Sequence, residues 1–130
     1  MFYKMIENKR NQWLLSSECT ITPLIGYIVK TGQMRDAQIE AIKTYLFLKI
    51  ACECKPLEKL FCEGKFNTLN LAEVELSEPA RNFLVAHPEA SALFEYACLK
   101  NDKGEQVSAK LENEIKKKPD SIDYCKFFKD

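Results

Sequence analysis

The sequence predicts a mainly α fold, a compact multi-helix domain over residues 1–130. Three observations carry that prediction. In residues 31–50, TGQMRDAQIEAIKTYLFLKI, apolar residues recur three or four apart, which lays them along one side of a helix turning every ~3.6 residues. Residues that start or stop helices divide the chain at helix-length intervals: Thr22-Pro23, Pro56, Gly64, Ser77, His87-Pro88 and Pro119. The apolar share of 46% is enough to build a core in 130 residues and too high for a disordered chain.

Taken in order, Phe2, Tyr3 and Met5 suit either a short strand near the N-terminus or a helix packed on the main body. Trp13, Leu14 and Leu15 form an apolar clump ahead of Ser16 and Ser17. Thr22-Pro23 starts the next element, since proline is tolerated in a first helical turn. Leu24, Ile25, Tyr27, Ile28 and Val29 make it a short buried segment ending at Gly32, and its β-branched residues leave helix and strand both open. Gly32 then lets the chain turn sharply into the central helix. Arg35, Asp36, Ala37 and Gln38 open that helix, with Asp36 placed where a negative charge suits the positive end of the dipole. Ile39, Ile42, Leu46 and Ile50 form its apolar side, with Tyr45 beside them.

Pro56 begins a further helix at its first position, and Gly64 ends it as a left-handed cap, with Leu57, Leu60 and Phe61 facing inward. Residues 67–75 are irregular or a short extended connection, and Ser77 caps a helix over 78–86. His87-Pro88 breaks the chain, because a residue before proline is pushed out of helical geometry. Residues 88–100 form a helix with Leu93, Phe94, Ala97 and Cys98 on its apolar side, and 101–104 a turn. Residues 105–118 carry only Val107, Leu111 and Ile115 at four-residue steps, a stripe so narrow that this helix lies on the surface. Pro119 stops it, and Asp120 or Ser121 caps a last helix with Tyr124, Phe127 and Phe128 on its apolar side.

Charge narrows the function classes. Nineteen basic residues balance nineteen acidic ones, so no global field draws the chain to nucleic acid or membrane. No apolar run reaches the ~18 residues of a membrane span. The opening MFYKMIENKRNQW turns polar at once and lacks the apolar core of a signal peptide. The six cysteines are therefore expected as reduced thiols in a cytoplasmic protein.

One short pattern points to a chemistry. Arg35, Gln38, Ala41 and Ile42, an Arg-x-x-Gln-x-x-Ala-Ile arrangement, resemble the segment ahead of the first ATPase motif in DEAD/DEAH-type helicases, particularly the helicase subunits of type I and type III restriction systems. Met34 stands where those proteins carry leucine. The likeness runs more loosely through Lys55-Pro56-Leu57 and Leu60-Phe61 to Gly64 and Phe66. It implies that Gln38, helped by Arg35, reads the adenine of ATP in the complete motor, and that the remainder of the helicase chain, and DNA through it, are partners. A primary amide suits that task, because its donors and acceptor can pair with the amino group and a ring nitrogen of adenine together. The four glycines, Gly26, Gly32, Gly64 and Gly104, begin no G-x-x-x-x-G-K-[ST] loop, and no acidic magnesium box follows. By that mechanism the chain alone cannot hydrolyse ATP. Either a helical insertion separates Gln38 from the phosphate loop, or the Gln38 match is accidental and it is an ordinary exposed helical glutamine.

Other constellations read as structural. Cys52, Cys54, Cys62 and His87 have ligand chemistry, but Cys-x-Cys is tighter than the usual zinc knuckle and Cys62 falls inside a predicted helix, so no metal is expected. His87, the single histidine, is a loop residue with no cysteine placed beside it for nucleophilic catalysis. Glu73 with Glu75 and Glu112 with Glu114 read as solvated faces. Lys116, Lys117 and Lys118, with Lys110 and Lys126, form a candidate nucleic-acid contact, although Glu112 and Glu114 interleave and lysines also suit a helix C-terminus. Beside the helicase reading stands a free-standing cytoplasmic helical module that binds a partner protein or a second copy.

Overall fold

The computed structural model describes residues 2–128. Within them prolines open helices, left-handed residues close them, and the fold is mainly α. Contacts divide the chain into two units, Met1–Lys55 and Pro56–Asp130.

In the first unit, α1 (Tyr3–Leu15), α2 (Thr22–Thr31) and α3 (Asp36–Leu46) follow one another. The aromatic opening is thus helical, not a strand. α1 buries Met5, Ile6, Arg10 and Trp13, one face of the helix, while Leu15 stands 91% exposed. α2 begins with Pro23 in its first turn and ends at Gly32, whose φ of 64° is the left-handed cap that only glycine adopts at no cost. Its expected burial does not occur. No residue of α2 is buried, and Leu24, Tyr27 and Val29 are exposed. The helix is apolar on most sides and contacts only α3 extensively, so its outer faces remain uncovered.

α3 runs on through a π-helical turn, Phe47–Ala51, in which the Cys52 N–H donates to the Phe47 carbonyl. That extra residue per turn rotates the pattern. Phe47 takes the buried position against Trp13 (ring centroids 5.6 Å), whereas Tyr45 and Ile50, expected inside, are exposed. Ile39 is buried, and Ile42 and Leu46 are half-buried. Glu53 and Cys54, both at positive φ (55° and 58°), close this end without a glycine.

The second unit is built around α6 (Pro88–Cys98), which buries Ala90, Ala92, Leu93, Phe94, Glu95 and Ala97. Packed on it are α4 (Leu57–Cys62), α5 (Glu78–Ala86), α7 (Ala109–Lys117) and the single turn α8 (Tyr124–Phe127). Pro56 precedes α4 by one residue, and Leu60 and Phe61 are buried while Leu57, expected inward, is exposed. Gly64 turns the chain at φ 72°, and a Cβ there would lie 2.8 Å from the Pro88 Cβ, so both conformation and close approach require glycine. Ser77 caps α5 through the Ala80 N–H, as its sequence position predicts.

α7 starts later than its charge pattern suggests. Lys100 and Gln106 form an antiparallel bridge across the Asn101–Gly104 turn, and Ser108 caps the helix by accepting from the Leu111 N–H. Ile115 is fully buried, so one residue of the narrow stripe anchors the helix. After a 3-10 turn at Pro119–Ser121, Asp123, rather than Asp120 or Ser121, precedes α8. Tyr124 and Phe128 are buried, and Phe127 is not.

Candidate functional site

Arg35 and Gln38 meet at the start of α3. Arg35 is the N-cap residue, extended at φ −73° and ψ 155°, and Gln38 occupies the third helical position. The Gln38 Oε1 accepts from the Arg35 backbone N–H at 2.9 Å, and the Gln38 N–H donates to the Arg35 carbonyl at 2.9 Å. This is the return arm of a capping box. Arginine has no side-chain acceptor, so its backbone carbonyl supplies the forward arm. The amide is thereby held by its oxygen at an exposed helix end, and its remaining capacity is a second lone pair and two N–H donors. A glutamine three positions after a helix start is the sequence signal of this cap.

The strongest polar cluster of this unit went unread in the sequence. Arg10 is 1% exposed, and its guanidinium donates to the Glu40 carboxylate (2.5 Å), the Thr44 hydroxyl (2.8 Å) and the Asn11 side chain (2.8 and 3.1 Å). A planar fork with five donors reaches these three partners along separate directions, whereas a lysine offers its donors from a single point. Lys43 pairs with the same carboxylate at 2.9 Å. Its hydrogen bond holds the Glu40 carboxyl below the ordinary 4.5, with the Arg10 charge acting in the same direction against partial burial. The cluster ties α1 to α3 and offers no reacting group.

In the second unit the Glu95 carboxylate, 6% exposed, accepts from the Thr68 backbone N–H (3.1 and 2.9 Å) and the Thr68 hydroxyl. It fixes the connection after α4, so this buried acid is likewise an anchor.

The remaining sequence candidates separate. Cys52 is buried and Cys54 exposed, so these neighbours do not converge on one ion. His87 ends α5 and opens α6, its ring stacked on Phe83 at 4.1 Å with Nδ1 2.9 Å from the Phe83 carbonyl. Among the described residues no three His, Cys, Asp or Glu side chains gather as metal ligands. Glu73, Glu75 and Glu114 are exposed, while Glu112 is half-buried between Gln106 and Lys116. Lys116 is therefore committed to Glu112 at 2.7 Å, and that hydrogen bond raises its pKa. Lys117 and Lys118 are exposed and line an open depression of about 320 Å³ with Glu114, Ser121 and Ile122. Lys110 and Lys126 are exposed as well. Gly32, Gly64 and Gly104 all serve turns at positive φ, and Gly26 lies within α2. No described helix is long and apolar enough to cross a membrane. No known protein family, characterised protein or solved structure matches this chain.

Proposed function

We propose that this chain is the N-terminal accessory region of an ATP-dependent DNA helicase or restriction-type translocase, in which Gln38 contacts the adenine of ATP once the motor is complete. One observation carries the reading: an exposed glutamine amide held at a helix start by the Arg35 N–H, within the Arg-x-x-Gln-x-x-Ala-Ile pattern of those enzymes. An amide already fixed loses little rotational freedom on meeting a base, so its hydrogen bonds are directional and favour adenine over guanine. Arg35 stands beside it as an exposed cation suited to the phosphate side of a nucleotide. Lys117 and Lys118 would add salt-dependent contact to DNA in the assembled enzyme. The chain itself performs no catalysis in this reading. The test is to read the coding sequence beyond Asp130 and to measure ATP and GTP binding by its product. A Gly-Lys-Thr or Gly-Lys-Ser loop with preferential ATP binding is expected, whereas a stop codon at that point overturns the proposal.

A different observation favours a second reading, a helical protein-interaction module without ligand. Leu24 (48% exposed), Tyr27 (67%) and Val29 (53%) leave α2 largely uncovered, and Leu15 helps line an adjoining depression of about 370 Å³ with Ile25 and Lys43. Large apolar side chains left uncovered on several sides of one helix suit an association site. Sedimentation at rising concentration tests its self-associating form: dimerisation abolished by Tyr27→Ser supports it, and a concentration-independent monomer removes it.

A further inference from the structure

Two of the six free thiols touch. The Sγ of Cys62, the last residue of α4, lies 3.4 Å from the Sγ of Cys125 in α8. A disulfide sulfur pair sits at about 2.05 Å, so closure needs an approach of only about 1.4 Å, within reach of small side-chain rotations. The approach is held by packing beside it. Phe61, next to Cys62, stacks on Phe128 with centroids 5.2 Å apart and rings 6° from parallel. Tyr124, next to Cys125, is buried and donates its hydroxyl to the Pro119 carbonyl. Both cysteines remain partly exposed, so a small oxidant can reach them.

We propose that Cys62 and Cys125 form a reversible disulfide site, closed by a low-molecular-weight disulfide such as oxidised glutathione. One cysteine thiolate attacks a sulfur of the oxidant, forming a mixed disulfide and expelling one glutathione thiolate. The second cysteine loses its proton to solvent and attacks the protein sulfur of that mixed disulfide, expelling the other glutathione. The two cysteines together give up two electrons and two protons, and the oxidant is reduced to two glutathione molecules. The product ties the single-turn α8 to α4 across a separation of 63 residues. A cross-link over so long a loop restricts the unfolded chain strongly. Burial first, and contact with Cys125 next, push the Cys62 thiol up to about 11, so little of it is thiolate at neutral pH and closure by this route is slow.

The experiment is to incubate the chain with oxidised glutathione, then measure intact mass, map disulfides by peptide mass spectrometry and follow thermal unfolding. The expected product has lost about 2 Da, contains a Cys62–Cys125 peptide pair, melts roughly 5 °C or more higher, and reverts under dithiothreitol. Cys125→Ser abolishes the mass loss and the shift, and Cys54→Ser, at an exposed thiol of the other unit, changes neither. A map in which Cys62 and Cys125 stay reduced, keep a glutathione adduct or pair with other cysteines overturns the proposal. Should a serine variant fail to fold, the wild-type map alone decides.

Discussion

In Pro56–Asp130, α6 buries six residues and is contacted by four other helices. In Met1–Lys55, α3 itself buries Ile39 alone, and the interior is completed by Met5, Ile6, Trp13, Ile21, Phe47, Cys52 and the side chain of Arg10. One unit is stabilised by close apolar packing around a central helix. The other depends on a polar knot and leaves a whole apolar helix, α2, half covered. The difference shows that a clear helical period says where a helix is, not how deep it lies. α3 has the plainest pattern in the sequence, yet α6, rich in alanine, is the helix that neighbours approach from several sides.

The largest expected effect probes the packed unit. Phe94→Ala opens a cavity in a fully buried site and should cost about 3–5 kcal/mol in denaturant unfolding. A loss below about 1 kcal/mol would show that α6 is not the centre of that core. Next comes the polar knot. Arg10→Ala removes the fork and its packing and should cost about 2–3 kcal/mol. Arg10→Lys should restore only a minor part, since one ammonium nitrogen does not span the separate positions from which the two guanidinium nitrogens reach Thr44, Glu40 and Asn11. Full rescue by lysine would reduce the knot to a single ion pair.

The two units should also answer to opposite ends of the pH scale. Glu40 is held below its ordinary 4.5, so its contribution is present above that value and is lost as pH falls through its lower folded pKa. Trp13, the single tryptophan and buried beside Phe47, reports this unit by fluorescence, and Glu40→Gln should weaken the acid response. Burial pushes Cys62 and Cys98 up to about 11 and Tyr124 up to about 12. The unfolded chain therefore releases protons first, and stability falls as pH rises from about 9 towards those values. In circular dichroism, Cys98→Ala should shift the alkaline transition to higher pH, and an unchanged transition would remove that thiol from the account. The smallest effect belongs to α2: Tyr27→Ser should change stability by no more than about 0.5 kcal/mol, because the ring is 67% exposed. A large loss would mean that α2 is covered by more than α3.

What the sequence made legible follows from which signals are local. Gly32, Gly64 and His87-Pro88 set helix ends through their own backbone chemistry, and Ser77 through its hydroxyl, and each does so in the structure. Burial was harder to read because it depends on partners distant in sequence. Leu57, Tyr45 and Phe127 look like core residues and are exposed, whereas Arg10 and Glu95 look like surface and are inside. The π-helical turn at Phe47–Ala51 has no signature in the sequence, and the regular helical period carried through it misplaces Ile50, which is exposed while Phe47 is buried. At the candidate site, Arg35 and Gln38 stand three apart in the sequence, and their mutual hydrogen bonds emerge only with the helix start in place. The Cys62–Cys125 contact joins residues far apart in sequence, and nothing local announces it.

The central claim is that the Gln38 amide reads adenine as well as capping α3, and glutamate at the same position separates the two roles. Gln38→Glu keeps an acceptor for the Arg35 N–H, so α3 stays formed, while the donors offered to adenine are lost. The decisive measurement is ATP and GTP binding by the full reading frame, wild type against Gln38→Glu, with helicity followed in parallel. Loss of the ATP preference at unchanged helicity is the predicted result. A preference retained by a well-folded Gln38→Glu variant would contradict the account and leave Gln38 as a helix cap alone.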